Sequence, residues 1–168
     1  MIPADAVIRL LRKDEGQIFR ALRLEALTVD AATFASDAGV EAAKPATWFD
    51  ERIAEGVIGA FVGGELVGMA GYVRQSNPKQ AHKATLFGMY LRASHRGSGL
   101  AGRLVAAVVD HARAAGCERL LLACNAGNHG AIRLYEASGF RQYGIEPRAL
   151  KQPDGSYADD ALYALDLG

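Results

Sequence analysis

Apolar residues recur along the chain with two different periods, and the order of those periods predicts an architecture. Val7-Ile8-Arg9-Leu10-Leu11 reads as a first strand. Asp14 then opens a helix with Ile18 and Leu22 on one face and Phe19 and Leu24 beside them. From Thr28 to Lys44 the pattern is irregular and rich in Ala and Asp, and it ends at Pro45. Trp48 to Ala54 is expected to be a short helix with Thr47 as its N-cap. Val57 to Val62 and Leu66 to Arg74 flank Gly63-Gly64, and a Gly-Gly pair supplies the positive φ angles of a tight hairpin turn. Asn77-Pro78 breaks the chain before a further strand from Ala84 to Leu91.

The second half alternates helix and strand. Leu100, Leu104, Val108 and Ala112 form a helical stripe within Gly99 to Ala115, and Gly116 stands where a C-terminal cap belongs. Arg119 to Ala123 is a short, nearly continuous apolar strand, the pattern of one covered on both faces. Asn128 to Ser138 is a second helix closed by Gly139. Phe140 to Tyr143 and Ala161 to Leu167 are the final strands, separated by the turn Pro153-Asp154-Gly155-Ser156. With no internal repeat, the expected fold is a single α/β domain over residues 1–168, a mixed sheet with helices on both faces.

Composition narrows the function classes. The chain has 168 residues, half of them apolar, and its 19 basic and 19 acidic residues cancel. A nucleic-acid or anionic-membrane protein usually carries a basic excess or block, so neither partner is expected. The early acid Asp5 argues against a signal peptide, and no stretch approaches the roughly 18 apolar residues of a membrane span. Cys117 and Cys124 have neither metal-finger nor redox-motif spacing and read as free thiols in a reducing cytoplasm. His95, His111 and His129 lack metal-ligand spacing and His82 sits beside Lys83 in an expected loop, so no metal is expected.

Chemistry concentrates in two segments. In His95-Arg96-Gly97-Ser98-Gly99-Leu100-Ala101-Gly102-Arg103, three residues without side chains sit between a strand and an amphipathic helix. Backbone N–H groups can converge there on an anion, and the helix dipole favours the same charge. Without Gly-Lys-Ser/Thr this is no Walker loop. The Gly-x-Gly-x-x-Gly string follows antiparallel-looking strands instead of opening a first βαβ unit, which disfavours a dinucleotide fingerprint. A tight packing turn accounts for the glycines about equally well. The second segment runs from Asn128 to Phe140; Asn128 and Tyr135 are seven apart, and on a helix of about 3.6 residues per turn they share a face.

Together the segments resemble the GNAT superfamily of N-acyltransferases. Its pyrophosphate loop, Arg/Gln-x-x-Gly-x-Gly/Ala, is matched by Arg96-Gly97-Ser98-Gly99-Leu100-Ala101. Its later signature, Asn-x-x-Ala-x-x-Leu-Tyr-Glu-x-x-Gly-Phe, is matched by Asn128 through Phe140. The resemblance extends to a tail with Pro147-Arg148-Ala149-Leu150-Lys151. It implies a mostly antiparallel sheet with a splayed parallel strand pair, and acetyl-CoA as acyl donor. The N–H groups of Arg96, Gly97, Ser98, Gly99, Leu100, Ala101 and Gly102 would cradle the pyrophosphate. Met89, Tyr90 and Leu91 would pair with pantetheine amides, and a backbone N–H there would hold the oxyanion. Asn128 would bond the pantetheine or nearby backbone, and Tyr135 would protonate the departing thiolate.

One expected part is missing. Many members place a Glu in the strand before the loop, whereas Ala84 to Leu91 has no carboxylate. Glu25, His82 or a water relay are the stand-ins for a general base. The amine acceptor, a small molecule or a peptide, would bind between the segment Glu25 to Trp48 and the loop Asn77 to His82. Glu25, Asp30, Asp37 and Glu41 are candidate attractants for a cationic amine, with Phe34 and Trp48 as walls. Transfer is expected to be direct in a ternary complex, since Cys117 follows a helix cap and Cys124 is taken to lie away from the sulfur. The rival reading is a non-catalytic acyl-CoA-binding or sensory module. A homodimer is a further expectation from the resemblance.

Overall fold

The computed structural model describes all 168 residues. One seven-stranded sheet carries the chain, in the order β1-β2-β3-β4-β5-β7-β6. The strands are β1 (Val7–Leu10), β2 (Val57–Val62), β3 (Glu65–Arg74), β4 (Lys83–Leu91), β5 (Arg119–Asn125), β6 (Arg141–Lys151) and β7 (Tyr157–Asp166). Every neighbouring pair is antiparallel except β4 and β5. The helices are α1 (Gly16–Val29), α2 (Ala38–Ala42), α3 (Ala46–Gly56), α4 (Leu100–Ala114) and α5 (His129–Ala137). No helix is long and apolar enough to cross a membrane.

Strand alternation divides the core in two. Ile58 and Ala60 of β2 join a cluster built on Leu104, Val105 and Val108 of α4, whereas Val57 and Phe61 join one built on Phe19, Leu22 and Phe49 of α1 and α3. Successive side chains of a strand point to opposite faces, so the two clusters cover the two sides of the sheet. The mixed sheet with helices on both faces is the predicted one. Gly63 (φ 59°) and Gly64 (φ 81°) make the predicted hairpin turn between β2 and β3.

Several local expectations change. Phe19, Leu22, Ala26 and Leu27 define the buried face of α1, and Ile18 turns to solvent. The helix start at Trp48 moves back to Ala46; Pro45 is its N-cap, and Thr47 lies inside the first turn. No side chain caps the helix; the Pro45 carbonyl accepts from Trp48 N–H at 3.0 Å. The last two strands are longer than expected because β6 is an exposed edge strand that gives no alternating signal. A register shift between Glu146 and Leu150 absorbs two extra residues around Pro147, and Arg148 there (φ 54°) donates its N–H to the Asp159 carboxylate at 2.8 Å.

α1 is tied to α2 by an ion pair with almost no contact with water. Arg23 donates from Nε and Nη2 to Glu41, both at 2.9 Å, and its Nη2 also reaches Ser36 Oγ at 3.1 Å. Removing one member of a buried pair strands the other charge and costs about 3–5 kcal/mol, whereas replacing both with apolar groups is often neutral. Glu41→Ala is therefore expected to lower the urea midpoint strongly, and Arg23→Met with Glu41→Leu to recover most of the loss. A double variant no more stable than the single would contradict this account.

Candidate active site

β4 and β5 run together for only three residue pairs, Lys83 with Arg119, Ala84 with Leu120 and Thr85 with Leu121. Beyond Thr85 the strands part. β4 keeps β3 on one side, but a bulge interrupts that ladder: Met69 to Gly71 on β3 spans Tyr90 to Phe87 on β4. The extra residue falls at Gly88-Met89, and Gly88 takes φ 64°, open to glycine at no steric cost. From Leu86 onward the other edge of β4 has no strand partner. The gap is a cavity of about 480 Å³ lined by both strands, the Thr33–Ser36 loop and α5.

The glycine-rich turn lies between the end of β4 and α4. Gly97 (φ 74°) and Gly99 (φ 91°) adopt the left-handed conformation, which explains these glycines as backbone requirements. Of the seven N–H groups named in the sequence, two are already used. Arg96 N–H donates to Ala93 O at 3.2 Å and Leu100 N–H to Ser98 Oγ at 3.3 Å. Those of Gly97, Ser98, Gly99, Ala101 and Gly102 have no acceptor within the protein. They sit at the positive end of α4's dipole, the arrangement that binds anions. The Arg96 side chain turns away, donating from Nε to Leu91 O (2.8 Å) and from Nη2 to Asp30 (2.9 Å). Only Arg103 of the two flanking cations is free of an ion pair.

Asn128 and Tyr135 both line the cavity, as their spacing requires. The carbonyl oxygen of Asn128 caps α5 by accepting from Ala131 N–H at 3.1 Å; its amide hydrogens have no protein acceptor. Tyr135 is 6% exposed, packs edge-on against Phe140, and its hydroxyl makes no hydrogen bond within the protein. Burial, then the nearby Cys124, pushes its pKa well above the phenol range, so it stays a neutral proton carrier. Met89 faces the cavity, whereas Tyr90 and Leu91 bury their side chains in the two cores. Those two residues offer the cleft backbone only.

Cys124 is a correction. It lines the same cavity as Tyr135, because β5 carries it three residues past Leu121, its last partner of β4. Burial first, then Asp160 and Glu136, push its thiol up to about 11. The acceptor side is also rearranged. Glu25 takes Arg92 Nε (2.9 Å) and Nη2 (2.9 Å) and the Tyr90 hydroxyl (3.1 Å), and Arg92 holds its carboxyl below the usual range. Asp30 pairs with Arg96, Glu41 with Arg23, and Asp37 caps α2 through Val40 N–H at 2.9 Å. All four proposed attractants are engaged. The Asn77–His82 loop does not line the cavity; His82 instead starts the parallel pairing, its carbonyl accepting from Glu118 N–H at 2.7 Å. Phe34 is a wall and Trp48 is not.

Residues missed in the sequence fill these places. Arg23, over the Phe34 ring, and Arg52, over the Phe87 ring, line the cavity, Leu150 reaches it from β6, and Asp160 is its sole acidic residue. Arg52 stacks on Trp48 (4.6 Å) and has only Glu55, at 3.6 Å, as an ion-pair partner. No local pattern distinguishes these side chains, since a helix face, an edge strand and a strand end bring them together.

A sequence profile described as the acetyltransferase (GNAT) family matches residues 22–140. An L-methionine sulfoximine/L-methionine sulfone acetyltransferase of Pseudomonas aeruginosa is 30% identical over 132 residues, 76% of each chain. An acetyltransferase of the GNAT family from Streptococcus pneumoniae superposes with a TM-score of 0.86 at 19% identity, covering 97% of this chain and 99% of that one. A Salmonella typhimurium protein described as an acetyltransferase and solved with its cofactor acetyl-CoA gives 0.82 at 20% identity, covering 98% and 95%. At these identities the two structures speak to the fold.

The thiolate is the reactive form of cysteine, so Cys124 is expected to resist iodoacetamide at about pH 8 and to react as pH passes about 10–11. Mass spectrometry of the labelled peptide would read this. Rapid labelling at about pH 8 would contradict the environment described.

Proposed function

The chain belongs to the acetyltransferase (GNAT) family, and we propose that it transfers the acetyl group of acetyl-CoA to a primary amine by direct attack in a ternary complex. One observation carries the reading: five unsatisfied N–H groups lie at the start of α4, at the end of a strand whose free edge runs back beside Tyr135. The donor fits these groups in kind. Gly97, Ser98, Gly99, Ala101 and Gly102 would bind the pyrophosphate through N–H groups and helix dipole. The open edge of β4 would hydrogen-bond the pantetheine amides as a strand would, and the Asn128 amide would donate beside it.

The same residues supply the chemistry. A backbone N–H by the Gly88-Met89 bulge would stabilise the oxyanion as the amine attacks the thioester carbon. The Tyr135 hydroxyl, kept protonated by its surroundings, would give its proton to the leaving sulfur. A covalent acetyl-cysteine route is disfavoured, since a thiol raised to about 11 is almost wholly protonated near neutrality.

The acceptor is an amine that also carries an acidic group. Of the two cations that line the cavity, Arg23 is neutralised by Glu41 and Arg52 is left lightly paired. A carboxylate or similar oxyanion fits beside Arg52 better than a polyamine. L-methionine sulfoximine and L-methionine sulfone, named for the Pseudomonas relative, have this chemistry.

A Cβ on Gly102 would meet nothing within 4 Å. Gly102→Glu should therefore fold normally while abolishing acetyl-CoA binding in calorimetry, because it sets negative charge against the pyrophosphate. Tyr135→Phe should bind acetyl-CoA as the wild type does and lose about 10²-fold in amine-dependent thiol release. An unaltered rate would remove the role given to Tyr135, and binding without turnover of any amine would favour the non-catalytic module.

Arg52→Met should raise KM for L-methionine sulfone about tenfold, equivalent to about 1.4 kcal/mol, and leave KM for an amine without an acidic group unchanged. Equal effects on both would contradict the assignment of the acidic group to Arg52.

A further inference from the structure

We propose that Asp160 is the general base that takes the proton from the acceptor ammonium. The inference rests on the acetyl-transfer reading and fills the place left by the missing carboxylate of β4. Among the side chains that line the cavity, Asp160 is the sole carboxylate, and it shares that cavity with Tyr135. It stands opposite Asn125 in the β5–β7 ladder, at the level where β5 has left β4. Its carboxylate makes no hydrogen bond or ion pair within the protein, so its lone pairs are available. The other acids considered for the task are consumed: Glu25 is locked to Arg92 and Tyr90, and His82 lies outside the cavity.

The surroundings suit a base. Glu146 opposite on β6 and Cys124 on β5 are the titratable neighbours along the sheet, Tyr135 comes from α5, and Arg23 and Arg52 are the cations that line the cavity. Burial, then Glu146, raises the Asp160 pKa. A more basic carboxylate accepts a proton more readily from an ammonium.

The proton count closes. The ammonium gives one proton to Asp160, and the freed nitrogen pair forms the N–C bond to the thioester carbon as the carbonyl π pair moves to oxygen. When that pair returns, the C–S bond breaks and its electrons leave on sulfur. Sulfur takes the Tyr135 proton, and the phenolate is made good by the second proton of the nitrogen. Asp160 releases its proton to water. The products are the N-acetylated amine, CoA thiol and one proton.

The test uses the full chain, acetyl-CoA and the common L-amino acids as amine probes, with thiol release followed across pH. Asp160→Asn is expected to bind acetyl-CoA as the wild type does and to lose about 10²-fold in kcat near neutrality. The deficit should shrink as rising pH delivers the amine already deprotonated. The low-pH limb of the wild-type profile should vanish in Asp160→Asn and return, at a reduced rate, in Asp160→Glu. A merely structural residue would not move that limb. An active wild type whose rate and pH profile ignore Asp160→Asn overturns this inference alone. A wild type inert towards every amine overturns the acetyl-transfer reading, and this inference with it.

Discussion

The separation of β4 from β5 is the constraint on which the rest of the molecule depends. Two parallel strands that pair for three residues and then part must leave backbone hydrogen-bonding groups without partners, and the sheet tolerates this only where the gap opens to solvent or ligand. The bulge at Gly88-Met89 bends β4 out of the plane, while β5 keeps its full ladder with β7. One face of the gap therefore presents free β4 backbone, and the other presents side chains of β5 and α5. The glycine turn follows directly from the end of β4, so the direction of β4 sets where the free N–H groups of α4 lie.

Rigidity around the gap comes from charge pairs that an inspection of composition would assign to the surface. Arg92 joins the end of β4 to Glu25 on α1 and to Glu65 on β3, and Arg96 joins the same strand end to Asp30 beyond α1. These contacts brace the end of the opened strand against α1 and β3. Isolated exposed pairs contribute little to stability, about 0–1 kcal/mol each. Here several converge on one strand end, so their effect is to fix its direction and not to add much stability.

The hydrophobic periods and the two short motifs made the sheet, its helices on both faces and the Asn128–Tyr135 pairing legible in the sequence, because each is a local property of spacing or of glycine. What was not legible is pairwise or distant. The motif names seven N–H groups, but Arg96 and Leu100 spend theirs within the turn, on acceptors that the spacing does not specify. Glu25, Asp30, Asp37 and Glu41 look alike as acids near a loop, yet each has a structural partner that lies up to 67 residues away. Edge strand β6 shows no alternation because most of it faces water, so its reach to Leu150 in the cavity left no trace.

That redistribution of charge changes the chemistry the cavity can host. With Glu25, Asp30, Asp37 and Glu41 engaged elsewhere, Arg52 is the lightly paired cation of the cavity, and Asp160 is its one carboxylate. A pocket with a cation for one group and a carboxylate for another suits a substrate bearing both an anion and an ammonium. A base need not lie on β4 to serve such a substrate. What the reaction requires is a lone pair within reach of the nitrogen, and β7, paired to the far edge of β5, places the Asp160 side chain in the same cavity.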